Sequence, residues 1–271
     1  MDQKSHRFYP SKILVFGEYL VLKGGTALAF PCNDFRLNKG NFISKANKIF
    51  FRKIDAYIKS KPDLSSKLNP NFLADIDKGL NYNTNIPIGY GLGSSGALVA
   101  AIYDEYFQNK ETDLLKLKNE LADIESFFHE KSSGIDPLTS YLQSAIFSQD
   151  NDIELVSVDS LGNFSLYDSG LKRNAREAIL HFMFLCQDAS FEIELMDLKE
   201  ISDVMIHKWL CKEDITSQMK EYSVLQLTLF KDFIPPNVKQ EWEKGLSDNQ
   251  YYMKLCGAGM GGMFLKYSLS E

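Results

Sequence analysis

The sequence predicts an α+β protein of two domains, residues 1–165 and residues 166–271. Three observations support this fold class. Short apolar, β-rich runs open the chain, helical periodicity fills its middle and most of its second half, and a glycine-flanked strand pair closes it. No internal repeat or low-complexity linker marks the boundary, which is therefore set only to within about ten residues.

The amino-terminal elements are two strands followed by a helix. Lys12–Phe16 (KILVF) and Thr26–Phe30 (TALAF) are apolar runs separated by Gly24 and Gly25, a pattern that predicts paired strands. Apolar residues at helical spacing over residues 50–59 then predict a helix. The start of the chain is therefore β-rich and then helical.

Three further helices are predicted in the first domain. Ser95–Phe107 is almost entirely apolar or small in its first half, as in a helix buried against a sheet. Asp113–His129 carries apolar residues along one face and predicts a second helix. Asp136 and Pro137 predict the start of a third, because aspartate is a favourable N-cap and proline a favourable first helical residue.

The remaining chain is predicted to contain both strands and helices. Ala145–Val158 has the pattern of a polar hairpin, and His181–Cys186 (HFMFLC) is predicted as a strand. Three helical stretches are expected within residues 191–248, and a final strand pair is expected around Gly257–Gly262. The second domain therefore combines one strand, three helices and a closing pair of strands.

The composition excludes several classes of function. A net charge of -6 without a basic cluster argues against nucleic acid as the main partner. No apolar stretch approaches the roughly 20 residues that span a bilayer, and the amino terminus lacks a signal-peptide core, so we expect a cytoplasmic protein with no membrane partner. The cysteines form no CxxC pair and the histidines no metal-binding spacing, which indicates reduced thiols and no zinc site.

The segment IPIGYGLGSSGALVAA (Ile86–Ala101) passes from a glycine-rich loop directly into the predicted helix. Such a loop gathers backbone N–H groups at the positive end of a helix dipole and forms a site for phosphate. Ser94 and Ser95 add hydroxyls that cap the helix or ligate magnesium. The residues alone also fit a tight strand-to-helix turn with a serine cap.

Two spans match GxGxxG, Gly91–Gly96 and Gly257–Gly262, but neither has the context of a dinucleotide-binding site. A helical pattern follows the first where a strand and an acidic residue are required, and only nine residues follow the second. The phosphate-loop pattern GxxxxGK[ST] is also missing. A nucleotide site in this chain must therefore belong to another class.

Three stretches together resemble the GHMP kinases, small-molecule kinases that include mevalonate, homoserine, galacto- and phosphomevalonate kinases. Pro10–Tyr19 resembles the family's opening PGKxxLxGEY/H motif, Pro87–Gly96 its PxxxGLGSSA phosphate loop, and Lys254–Gly262 its closing KxSGAGxGG motif. The three occur in the family's order. The resemblance is to the mevalonate and phosphomevalonate kinase branch.

This resemblance implies a specific two-domain architecture. Residues 1–165 are expected to form the GHMP kinase ATP-binding domain, an α/β domain like ribosomal protein S5 domain 2. Residues 166–271 are expected to form the C-terminal GHMP kinase domain, with a ferredoxin-like α+β fold.

A fourth match concerns the chemistry. Ser133–Asp136 (SGID) resembles the SGxD segment that supplies a catalytic aspartate, and Glu125 lies eleven residues upstream of Asp136, where mevalonate-type members keep a magnesium-binding glutamate. His129 also fits that pattern. From the residues alone, Asp136 is equally well explained as a helix cap and Glu125 as a solvated helix carboxylate.

The resemblance implies direct phosphoryl transfer from Mg-ATP to a small-molecule acceptor. In that scheme Asp136 accepts or orients the acceptor proton, and Lys12 steadies its charge and the charge that develops on the transferred group. Ser95 and Glu125 hold magnesium, while Glu18 and Tyr19 face the acceptor. The residues expected to bind ATP are Gly91, Leu92, Gly93, Ser94, Ser95, Gly96, Gly257, Ala258 and Gly259. Without the resemblance, Lys12 is explained as a strand-edge lysine with its head in water.

The sequence departs from the family pattern at several positions. Ser11 replaces a glycine, Gly96 an alanine and Cys256 a serine. Residues 130–132 (EKS) replace a glycine- and proline-containing approach to SGxD. None of these changes removes a group that the chemistry requires, but they leave the acceptor open.

Mevalonate is the favoured acceptor, because the spacing of Glu125 and Asp136 resembles that of mevalonate kinases. Phosphomevalonate kinase is the alternative, because Glu18-Tyr19 resembles that enzyme. A sugar kinase is disfavoured, because the galactokinase-type amino-terminal signature is missing. A nucleotide-binding protein without turnover is expected to lack Lys12 or Asp136, and both are present. Whether the protein forms a homodimer is left open.

Overall fold

The computed structural model describes residues 7–40, 45–129, 132–150, 152–158 and 160–269. The chain divides into two compact units, each built from separate stretches of sequence. Unit 1 comprises Met1–Lys12, Pro31–Pro87 and Gly93–Ser144, and unit 2 comprises Ile13–Phe30, Ile88–Leu92 and Ala145–Glu271. The division of the sequence into domains 1–165 and 166–271 stays a prediction.

The described residues form runs of strands and runs of helices in turn. The strands are β1 (Phe8–Phe16), β2 (Ala27–Gly40), β3 (Asn81–Thr84), β4 (Ala145–Gln149), β5 (Asp152–Val156), β6 (Phe164–Asp168), β7 (Tyr251–Leu255) and β8 (Met263–Ser268). The helices are α1 (Lys45–Lys59), α2 (Pro62–Lys67), α3 (Asn71–Lys78), α4 (Ser94–Tyr106), α5 (Leu114–Glu125), α6 (Ile135–Leu142), α7 (Ala175–Leu185), α8 (Ala189–Leu210), α9 (Thr216–Leu229) and α10 (Pro236–Asp248). The α+β fold class is confirmed.

The strands of the first sheet follow the order β1-β2-β4-β5, and β3 pairs with the end of β2. Within unit 2, residues 27–29 of β2 pair antiparallel with β4, so that Ala27 lies opposite Ser148. Within unit 1, residues 37–40 of β2 pair antiparallel with β3. The predicted pair of amino-terminal strands and the hairpin of β4 and β5 are therefore confirmed.

The second sheet lies within unit 2 and has the order β6-β8-β7, with both pairings antiparallel. It contains the predicted closing strand pair, β7 and β8. Helices α8, α9 and α10 confirm the three helical stretches that periodicity indicates. Apolar side chains such as Trp242 and Phe264 are fully buried in this unit.

The segment His181–Cys186 is helical, so the prediction of a strand there was wrong. Asn174 caps helix α7 by accepting a hydrogen bond from the Glu177 N–H, and Ala178 and Phe182 are buried one turn apart. The aromatic residues favour a strand on intrinsic propensity, but helical burial decided the outcome here. Cys186 itself lies just after the helix.

Two helix boundaries also differ from prediction. Helix α5 ends at Glu125, four residues before His129. Helix α6 begins at Ile135, with Gly134 as its N-cap in the left-handed region at φ 75°. Asp136 therefore lies inside the first turn, and the prediction that it caps this helix was wrong. Within the described part of the chain, no helix is both long and apolar enough to cross a membrane.

Candidate active site

An ion pair in unit 1 joins two of the residues that the sequence singles out. Lys12 on β1 places its Nζ 2.6 Å from Oδ1 of Asp136 on α6. The side chain of Lys12 is only 10% exposed and that of Asp136 is 28% exposed. Lys12 is therefore not a surface lysine with its head in water, and Asp136 is not occupied as a helix cap.

Two glycines at the start of α4 allow Asp136 to approach closely. A Cβ at Gly96 would lie 2.8 Å from the carbonyl carbon and Cβ of Asp136, and one at Gly93 would lie 3.2 Å from Oδ2. Gly93 also begins the helix in the left-handed region, at φ 69°. The departure at Gly96 thus matches the packing, because the alanine of the family pattern would clash with the backbone of α6.

Glu125 is held by hydroxyl groups at both carboxylate oxygens. Ser95 donates from Oγ to Oε1 at 3.0 Å, and Ser132 donates to Oε2 through a short hydrogen bond. His129 Nε2 lies 3.3 Å from Ser95 Oγ. Glu125 is only 4% exposed, so it is a buried carboxylate and not a solvated one.

The electrostatics of Glu125 follow from this burial. Burial, the largest cause, and the negative charge of Asp136 together raise the pKa of the Glu125 carboxyl to about 7. The hydrogen bonds from Ser132 and Ser95 and the charge of Lys12 oppose this rise in the pKa. The burial could have been anticipated, because Glu125 continues the spacing of Leu117 and Leu121 along the buried face of α5.

The residues of this cluster fit a magnesium ion. Glu125, Asp136 and Ser95 offer carboxylate and hydroxyl oxygens, the hard donors that magnesium prefers, against the single positive charge of Lys12. No group of three or more His, Cys, Asp or Glu side chains suited to a metal occurs among the described residues. Magnesium is usually bound by one or two carboxylates, with substrate phosphates completing the coordination.

Two glycine-rich segments lie close together within unit 2. The backbone of residues 171–173 contacts both of them: Arg173 N–H donates to Gly89 O at 2.9 Å, and Leu171 O accepts from Gly262 N–H at 2.7 Å. Met263 N–H also donates to Tyr90 O at 3.2 Å. The first part of the phosphate-loop motif and the end of the closing motif are thus joined by backbone hydrogen bonds.

Arg173 is a candidate functional residue that the motifs did not identify. A Cβ at Gly91 would lie 2.6 Å from its guanidinium, and one at Gly257 would lie 2.5 Å from its Nη1. This Nη1 is buried and has no hydrogen-bond partner among the described residues. A cation against two glycine segments suits an anionic ligand, but only the adjacent pair Lys172-Arg173 marks it in the sequence.

Glu18 and Tyr19 contact the closing motif within unit 2. Glu18 forms a short ion pair with Lys254, and both side chains are completely buried. Tyr19 donates from its hydroxyl to Ala258 O at 2.5 Å and stacks on Phe182. Burial raises the pKa of Tyr19 well above its ordinary value. These contacts join the opening and closing motifs, and a role in binding the acceptor stays a prediction.

The remaining motif residues have the following burial and contacts. Ser11 is fully buried and donates to Cys32 O at 3.3 Å. Cys256 is buried. Ser94 is the first residue of α4. The N-cap of this helix is Gly93, and no side chain makes a capping hydrogen bond there. Glu130 and Lys131 lie outside the described residues.

Comparison with known proteins identifies one matching family model and a set of similar folds. Residues 45–144 match the family described as GHMP kinases N terminal domain. No match was found among curated proteins. The fold is similar to solved kinase structures over nearly the whole chain.

Three of these structures illustrate the similarity. Methanococcus jannaschii mevalonate kinase is 17% identical, with a TM-score of 0.65 over 99% of this chain and 92% of that chain. Streptococcus pneumoniae phosphomevalonate kinase, in complex with phosphomevalonate and AMPPNP, is 18% identical, with a TM-score of 0.65 over 98% of this chain and 92% of that chain. Lactococcus lactis galactokinase, complexed with galactose, is 15% identical, with a TM-score of 0.61 over 98% of this chain and 86% of that chain.

Proposed function

Because the chain carries the N-terminal domain of the GHMP kinases, a family of phosphotransferases, and has the fold of mevalonate-kinase-like members, we propose that it phosphorylates mevalonate with Mg-ATP. The observation that carries this proposal is the ion pair between Lys12 and Asp136, next to the buried Glu125 and Ser95. A nucleotide-binding protein without turnover would not require a buried lysine paired with an aspartate that does not cap its helix.

Asp136 is the proposed base for the acceptor hydroxyl. As that oxygen bonds to the γ-phosphorus, the hydroxyl proton passes to the Asp136 carboxylate, and the bond from the γ-phosphorus to the bridging oxygen of ADP breaks. Lys12, whose Nζ lies 2.6 Å from Oδ1 of Asp136, orients that carboxylate and stabilises negative charge on the transferred group.

In unit 1, the backbone amides of residues 93–96 are proposed to bind phosphate at the amino-terminal end of α4, which adds the positive end of its dipole. In unit 2, Gly91, Leu92 and Gly257–Gly259 are proposed to bind ATP, and the buried Nη1 of Arg173 adds a donor there. Ser95 and Glu125 would hold magnesium, which when bound neutralises phosphate charge. The residues of the chain thus supply positioning and charge, the main contributions to phosphoryl transfer.

Mevalonate is proposed as the acceptor because several structural relatives bear the name mevalonate kinase. The spacing of Glu125 and Asp136 supports the same choice. Phosphomevalonate is the second candidate, favoured by Glu18-Tyr19 and by the relative that binds phosphomevalonate.

The test is the release of ADP from Mg-ATP by the purified protein with mevalonate, phosphomevalonate, homoserine or galactose as acceptor. We expect mevalonate to raise ADP release well above the rate without acceptor. A response to phosphomevalonate alone would move the assignment to the second candidate. No response to any acceptor, with ATP still bound, would contradict the proposed turnover.

A further inference from the structure

Ser132 links the two halves of the candidate metal and base cluster in unit 1. Its hydroxyl donates to Oε2 of Glu125 and accepts the N–H of Gly134 at 3.0 Å. Glu125 is the last residue of α5, and Gly134 is the N-cap of α6, the helix that carries Asp136. One serine hydroxyl, with a single donor hydrogen and free lone pairs, therefore connects the end of one helix to the start of the next.

The carboxylate of Glu125 needs this kind of support because of where it lies. It is the last residue of α5, and the chain leaves the helix immediately after it. The hydroxyl of Ser95, from the first turn of α4, fixes only Oε1. A second hydroxyl at Oε2 removes the remaining freedom of the carboxylate to rotate about its last side-chain bond.

We propose that Ser132 is a positioning residue, which by engaging Oε2 of Glu125 keeps Oε1 directed at Ser95, the pair assigned above to magnesium. The proposal rests on the proposed function, since it assigns Ser132 a part in the same site. Partners of this kind orient metal ligands, and their removal typically weakens metal affinity about 10- to 100-fold.

Ser132 belongs to the stretch where this sequence departs from the pattern it resembles. A proline offers neither a hydroxyl nor an N–H, so a proline-containing approach to SGxD supplies no such donor from the proline itself. The contact is therefore a feature of this chain's own sequence. The hydrogen bond from Ser132 to Glu125 is thus a physical consequence of the departure at residues 130–132.

The test measures metal binding without an acceptor, so that it does not depend on which substrate is phosphorylated. Mn²⁺ is titrated into the protein with a non-hydrolysable ATP analogue, and bound Mn²⁺ is followed by electron paramagnetic resonance. The variants are Ser132→Ala, Ser132→Thr, Glu125→Gln and the control Ser126→Ala. Ser126 lies just after the same helix, and among the described residues its hydroxyl donates to Ala122 O, at 2.8 Å.

We expect Ser132→Ala to weaken Mn²⁺ binding about 10-fold, while Ser132→Thr, which keeps the hydroxyl, restores most of it. Ser126→Ala should bind like the original protein, and thermal unfolding of all variants without metal should be similar. Wild-type binding in Ser132→Ala, with weakened binding in Glu125→Gln, would overturn the role of Ser132. Equal losses in Ser132→Ala and Ser132→Thr would also overturn it, because the hydroxyl would then not be the cause. Unchanged binding in Glu125→Gln would instead overturn the metal assignment in the proposed function.

Discussion

At the residue scale, the proposed chemistry depends on an aspartate that does not cap its helix. Asp136 lies in the first turn of α6 but leaves the capping of that helix to Gly134. Its carboxylate is instead paired with Lys12, whose side chain is almost completely buried. This ion pair fixes the position of the carboxylate that we propose accepts the acceptor proton.

Replacing Asp136 with asparagine should therefore remove turnover and leave nucleotide binding intact. Asparagine keeps the shape of the side chain but cannot accept the acceptor proton, and removal of a positioned base costs at least about 100-fold in rate. The measurement is ADP release at saturating Mg-ATP with mevalonate as the acceptor. Binding of an ATP analogue is followed separately. Asp104→Asn is the matched control, since Asp104 pairs with Lys110 at 2.8 Å outside this cluster. Near-normal turnover in Asp136→Asn would reduce Asp136 to a structural residue.

The residues of the site were predictable to different degrees. Lys12, Asp136, Ser95 and Glu125 were all named from motifs, and the structure brings them together in one unit. Arg173 was missed because its role depends on the glycines that the fold places around it, and no local pattern records that placement.

At the scale of elements, the packing of α4 against α6 determines where Asp136 lies. From Gly96 to Tyr103 the residues of α4 are buried, and a Cβ at Gly96 would lie 2.8 Å from the backbone of Asp136 on α6. The sequence predicted α4 from its small and apolar residues, but the need for a glycine at this position becomes clear only from the distance to Asp136.

Gly96→Ala should destabilise the protein and impair turnover. In a solvent-exposed helix, replacing glycine with alanine is favourable. Here the added methyl would lie 2.8 Å from the backbone of Asp136. Overpacking of this kind typically costs about 1–3 kcal/mol. Urea unfolding measures the loss, and ADP release measures the displacement of Asp136. Ser94→Ala, in the same turn of the helix, adds no atom and should change the free energy of unfolding by less than about 0.5 kcal/mol. A stabilised Gly96→Ala variant would show that α6 moves away at no cost.

Elements were predicted well where one periodicity dominated and poorly where two competed. Helix α4 and the closing strands β7 and β8 were recovered because small residues and glycines mark them. The run HFMFLC was assigned to a strand because its aromatic residues favour one, although Ala178 and Phe182 bury with helical spacing. Which of two plausible periods holds depends on what packs against the segment, and a single sequence does not contain that information.

At the scale of the whole molecule, residues far apart in the sequence meet within unit 2. Glu18, near the amino terminus, forms a completely buried ion pair with Lys254, near the carboxyl terminus, and Lys254 also donates to Leu255 O at 2.7 Å. The aromatic rings of Phe16 and Tyr222 lie within 6 Å of the Lys254 ammonium group. The sequence identified the motifs that contain these residues but not their pairing, because the contact spans most of the chain.

The buried pair predicts a large and strongly coupled effect on stability. Lys254→Met should lower the free energy of unfolding by about 3–5 kcal/mol, because it leaves the Glu18 carboxylate buried without its cation. Adding Glu18→Gln removes that charge, so the double variant should be less destabilised than the sum of the single variants. Urea unfolding of the full cycle measures this coupling. Lys239→Met is the control, because its pair with Glu243 is half exposed and contributes about 0–1 kcal/mol. Additive losses in the cycle would mean that Lys254 stabilises unit 2 through its contacts with the aromatic rings and Leu255, and not through Glu18.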